Sequence, residues 1–198
     1  MATPEGTPTP PAPGRSRPSW FAEALAALSA VIAGAALAGS LFHAPGLGSL
    51  GRGFVPLSPL AGALFILLDA AILLRRRGRT RLLRSLGTLC GALVIALTLG
   101  MVAGFALEGP LWAALELRVV SKVTAVTLLL GGLAFAMSGG SPLAPRWKRQ
   151  VAALPALAAA AICAVVLLSY AAGAPLLYQS GNTPMALPSA LAGLMTAL

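Results

Sequence analysis

The sequence predicts an all-α polytopic bundle of about six membrane-spanning helices, and three observations carry that prediction. Of the 198 residues 58% are hydrophobic and only 10% charged, and the mean hydropathy is +0.87, a composition foreign to soluble domains. The apolar residues form runs of roughly bilayer length, about 20 residues, interrupted by Gly/Pro-rich or Arg-rich breaks. Basic residues crowd into alternate breaks. The net charge of +9 therefore sets topology rather than marking a nucleic-acid surface, and no nucleic-acid partner is expected.

The densest charge is the stretch Arg75, Arg76, Arg77, Arg79, Arg81 and Arg84, read as a cytoplasmic loop because short basic loops resist translocation. Arg146, Lys148 and Arg149 form a second internal basic loop, and Arg15 and Arg17 lie in the N-terminal tail. These make 11 of the 14 Lys and Arg residues, against Arg52, Arg118 and Lys122 on the other side. The bias predicts six spans with both ends cytoplasmic.

In chain order, residues 1–19 are Pro-rich and poor in apolar side chains, predicting a disordered tail. The membrane domain then covers 20–198. Its first span, 20–42, carries Trp20 and Phe21 as an interfacial anchor and Ala30, Gly34 and Ala38 as a small-residue packing stripe. Residues 43–59 are a Gly/Pro-rich external connection containing His43, the single histidine, which excludes bis-histidine haem and His-based zinc. The second span, 57–74, has prolines in its first turn, where a missing N–H costs little.

Asp69 lies inside that second span. An intramembrane carboxylate is a functional candidate, yet Arg76 is two turns further along the same face and within snorkelling reach. Two readings follow, a structural pair with Arg76 or a proton or ligand role.

The third span, 85–107, holds Gly87 with Gly91 and Gly100 with Gly104 as close-packing pairs. An external turn with Glu108, Trp112 and Glu116 leads to the fourth span, 119–138. The fifth, 151–170, has Pro155 in its first turn and Ala152, Ala156, Ala160 and Ala164 as a stripe. Cys90 and Cys163 differ in depth by about 10 Å, beyond disulfide reach, and are read as free thiols. The last run, 184–198, is short for a crossing, so it is either a stunted span or part of a longer protein. Its Ser189, Gly193 and Ala197 form a further stripe.

No catalytic constellation emerges. Ser138-Gly139-Gly140-Ser141 lacks the Gly-x-Ser-x-Gly elbow, and Glu108 and Glu116 are about 12 Å apart along a helix, too far for a paired acid and base. The chain is read as a non-enzyme without cofactor or metal.

The segment from Ala174 to Ala192, with Thr183-Pro184-Met185-Ala186-Leu187-Pro188-Ser189-Ala190-Leu191 at its centre, resembles the start of the last span in the N-terminal membrane modules of bacterial sensor histidine kinases and diguanylate cyclases. Gly53 to Phe65 looks like a degraded copy opening the second span, and the two align at Val55-Pro56-Leu57 and Thr183-Pro184-Met185. The resemblance implies a signal-input module, with a PAS, kinase or cyclase domain beyond the sixth span in that family. The implied partners are the lipid bilayer, a cytoplasmic signalling domain or protein, and a second copy of the chain. Tyr178, Gln179, Asn182 and Trp112, polar or amphipathic groups in the external connections, are the candidate sensing surface. The alternatives are a small transporter and a structural membrane protein.

Overall fold

The computed structural model describes residues 19–42, 57–78, 80–107, 120–138, 146–173 and 185–197. Among these the chain forms six helices and no strand: α1 Ser19–Leu41, α2 Pro59–Arg77, α3 Arg81–Leu107, α4 Lys122–Met137, α5 Arg146–Ala171 and α6 Leu187–Ala197. They fall on the six apolar runs. Three, over Trp20–Leu41, Arg81–Phe105 and Ala153–Ala171, are long and apolar enough to cross a membrane, which marks a membrane protein. The six expected spans are thus met by length and composition in three cases. α4 has 16 residues and α6 has 11, fewer than the about 20 of a full crossing, and α2 ends in three arginines.

Each helix packs on its neighbours in sequence, and α6 returns to α1, closing a ring. Inside that ring α2, α4 and α6 also touch one another. The odd-numbered helices form the outside, where Leu28, Val31, Leu89, Leu93, Leu157 and Leu168 are exposed. That exposed apolar surface is what lipid would cover.

The three inner helices repeat one design. Leu57, Val120 and Met185 are buried at their starts, and Ser58, Ser121 and Ala186 each accept the first helical bond, from the N–H of Gly62, Ala125 and Ala190 at 3.0, 3.0 and 3.1 Å. Ser58 and Ser121 also cap with their side chains, accepting from the N–H of Ala61 at 3.2 Å and of Thr124 at 3.1 Å. Buried positions then coincide along the three helices, Ala61 with Thr124 and Ser189, Leu64 with Thr127 and Ala192, and Phe65 with Leu128 and Gly193. The chain is therefore three outer–inner helix hairpins around a central axis. The likeness between the starts of the second and last apolar runs is two-thirds of this repeat; the middle copy, Val120-Ser121, lacks proline and escapes sequence reading.

Glycine lets the inner layers close. A Cβ on Gly193 would meet Cys163 Sγ at 2.8 Å and Thr127 Cγ2 at 3.0 Å, and one on Gly91 would enter the Phe135 ring. The expected pair Gly87 and Gly91 does seat α3, with Gly87 facing the Ala71 carbonyl.

Two other stripes are rotated from expectation. In α1 the buried row is Ala26, Ser29, Ala33 and Ala36, and nothing lies within 4 Å of a Cβ on Gly34. In α5 it is Ala159, Cys163 and Ser169, beside the expected alanine row. Small residues are abundant on every face of these helices, so spacing alone does not select the one that packs.

The ends differ too. α2 continues to Arg77 and α3 starts at Arg81, so most of the basic stretch is helix rather than loop. Arginine is a good helix former, and Thr80 accepts from the Leu83 N–H at 3.3 Å. α5 likewise starts at Arg146, which places Arg146, Lys148 and Arg149 in its first turn and Pro155 inside the helix. Residues 1–18, His43, Arg79, Trp112, Tyr178, Gln179 and Asn182 lie outside the described residues.

Gly91→Ala should lower stability by about 1–3 kcal/mol through overpacking against Phe135, whereas Gly34→Ala should be neutral or stabilising, by up to about 1 kcal/mol. Thermal unfolding of both variants in detergent checks the contrast.

Candidate functional site

Buried hydroxyls in this bundle mostly stay within their own helices. Thr98 donates to the Val94 carbonyl at 2.7 Å, Thr127 to Val123 at 2.9 Å and Ser169 to Val166 at 2.7 Å. Such bonds satisfy the hydroxyl without a partner helix. Around Asp69 the pattern changes.

Asp69 is fully buried on α2, and its Oδ1 accepts from Thr196 Oγ1 at 3.0 Å. Thr196, in the last turn of α6, also lies 3.0 Å from Ser29 Oγ on α1 and 2.9 Å from the carbonyl of Ala192. Ser29 is fully buried and 3.3 Å from that same carbonyl. A threonine carries one hydroxyl proton, and the carboxylate is its strongest acceptor here. Ser29 can then donate in turn to Thr196, so a relay Ser29–Thr196–Asp69 joins three helices. The second oxygen, Oδ2, is buried with no hydrogen-bond partner among the described residues.

The expected pairing of Asp69 with Arg76 is replaced by this cluster. Side chains on a helix lean toward its N-terminus, so Asp69 points away from the arginines that end α2, and α6 arrives at its level. Nearer the helix end, Arg77 Nε meets Glu23 Oε2 at 2.7 Å, an exposed pair worth at most about 1 kcal/mol.

Arg75 turns inward. Its Nη1 donates to the Phe135 carbonyl at 2.7 Å, and its guanidinium carbon lies 4.8 Å from the centre of the Phe135 ring. The same carbonyl accepts from Ser138 Oγ at 2.8 Å, so the serine that opens the Ser-Gly-Gly-Ser fragment finishes α4. A cation at the end of α4 is also favoured by its dipole.

No family model, no curated protein and no solved structure matches this chain. The site is therefore read from its own chemistry. Among the described residues no group of three His, Cys, Asp or Glu converges as a metal site, and both cysteines are free thiols.

Of the residues singled out in the sequence, Asp69 and Arg75 occupy defined interhelical sites; Arg76, Arg81 and Arg84 lie on helices at the same end of the bundle. Ser29, Thr196 and Phe135 were missed. Ser29 is the single polar residue between Glu23 and Ser40, which is a weak signal; nothing in the sequence couples it to a residue 167 positions away.

Thr196→Val removes the hydroxyl from which Asp69 Oδ1 accepts and should cost about 1–3 kcal/mol. Asp69→Asn keeps an acceptor and should cost less. The two combined should cost less than their sum, as read in a double-mutant cycle of thermal unfolding.

Proposed function

We propose that the chain is an integral membrane signal-input module, in which a stimulus at the end opposite the arginines shifts α6 and so reaches a cytoplasmic output domain or partner protein. The observation that carries this reading is the relay at Ser29, Thr196 and Asp69, which fastens the last turn of α6 to α1 and α2. A helix held at one level by a few hydrogen bonds has discrete alternatives, bonded or slipped, and a stimulus acts by favouring one.

The Thr183 to Leu191 motif resembling sensor kinases and cyclases supports the same reading. So does Tyr170, whose hydroxyl donates to the Met185 carbonyl at 2.7 Å and ties the start of α6 to α5. In this arrangement all six helices cross the inner membrane, the arginine end faces the cytoplasm, and Tyr178, Gln179, Asn182 and Trp112 form the outer sensing surface. A second reading, a small transporter, rests on the unpartnered Oδ2 of Asp69, since buried carboxylates mark ion and proton pathways.

Reporter fusions test the topology: a fusion after Gly78 should report cytoplasm, and fusions after Gly48 and Gly181 periplasm. A periplasmic signal at Gly78 would sink the orientation. Fusion of residues 1–198 to a kinase output domain tests the function. Thr196→Val should fix that chimera's activity at one level, and replacing Tyr178, Gln179 and Asn182 together by Ala should abolish its response. An unaltered response in both variants would remove the signalling reading, and ion-driven uptake in proteoliposomes that fails in Asp69→Asn would replace it with transport.

A further inference from the structure

At the arginine end, α2, α3 and α4 leave between them an open cleft of about 390 Å³. Arg75 reaches it from α2 and Arg84 from α3, with Thr88 one turn deeper. We infer that this cleft binds the phosphodiester headgroup of an anionic phospholipid, with the first part of its acyl chains lying along α3. The inference rests on the membrane reading above.

Charge is the first argument. Among the described residues the acids are Glu23 and Asp69; the first is engaged by Arg77 and the second by Thr196, and neither lines the cleft. Two guanidinium groups thus face one space with no acid to balance them. Arg75 spends one N–H on the Phe135 carbonyl and rests on that ring, which holds the side chain in place while its remaining donors stay available. A preset guanidinium suits the planar, two-point recognition of phosphate. Arg84 is exposed and supplies a second charge.

The second argument is the gradient along the cleft. Its arginines sit at the helix ends, whereas further along α3 its wall is Gly91, Ala92 and Ile95, with the Phe135 ring against Gly91. From Arg84 to Ile95 is about 16 Å of helix rise. A free phosphate would use only the outer part. A phospholipid fills both, and Thr88 and Ala92 are exposed along the open side of the cleft, so a chain in the surrounding bilayer enters sideways. Basic pockets between helices at the cytoplasmic face recognise anionic headgroups by this logic.

The test uses the full chain purified in detergent, with phosphatidylglycerol and phosphatidylcholine of identical acyl chains titrated and bound lipid counted by native mass spectrometry. Phosphatidylglycerol should bind more tightly, and Arg84→Ala should weaken it roughly fivefold. Arg81→Ala, which removes a nearby exposed arginine outside the cleft wall, should leave it unchanged. Arg75→Ala also frees Phe135, so Arg84→Ala carries the result. Equal binding of the two lipids, or equal loss in Arg81→Ala and Arg84→Ala, overturns the site. Displacement of phosphatidylglycerol by millimolar inorganic phosphate overturns the lipid as occupant. A chain released from membranes by carbonate washing overturns the membrane reading and the lipid site together, whereas one that stays in the membrane and fails to discriminate overturns the site alone.

Discussion

Closure of the helix ring depends on how α6, only 11 residues long, is held against α1. A helix this short has little propensity of its own and owes its place to contacts. Apolar packing supplies part of them, through Ala190, Ala192 and Gly193 in the centre of the bundle. Direction comes from the two polar ties, Tyr170 to the Met185 carbonyl at one end and Thr196 to Asp69 and Ser29 at the other. In a medium without water a lost hydrogen bond is not replaced by solvent, so these ties set register as packing alone would not. The cost is the stranded Oδ2 of Asp69, buried without a hydrogen-bond partner among the described residues.

The threefold arrangement of hairpins explains why small residues matter at the axis. Three parallel inner helices meet at equal levels, and three large side chains at one level would not fit. The chain alternates sizes instead: Phe65 and Leu128 share a level with Gly193, and Leu68 lies over Gly131, where a Cβ would sit 3.2 Å from its Cδ2. A repeat whose copies keep the same burial but differ in size lets one design serve three positions while each copy fills the space the others leave.

At the arginine end, identical residue types take different tasks because the helices present them at different angles. Arg77 reaches across to Glu23, Arg75 turns into the bundle to close off α4, and Arg84 stands on the first turn of α3 at the edge of the cleft. The three arginines share a residue type and an end of the bundle, and position on the helix decides which neighbour each one meets.

Helical class and the approximate bounds of the six described helices were legible in the sequence, because runs of apolar residues and Gly/Pro breaks act locally and need no knowledge of neighbours. The resemblance between the starts of the second and last runs already contained part of the repeat. Which face of α1 or α5 packs was not legible, since alanine and glycine occupy several faces and the partner helix chooses among them. The site was half legible. Asp69 stood out as a carboxylate in an apolar run, but its nearest candidate partner along the chain, Arg76, lost to Thr196, which is 127 positions away and is brought to the same level only when the ring closes. Composition and periodicity are properties of a segment; a hydrogen bond between α2 and α6 is a property of the assembled bundle, and tertiary structure alone decided it.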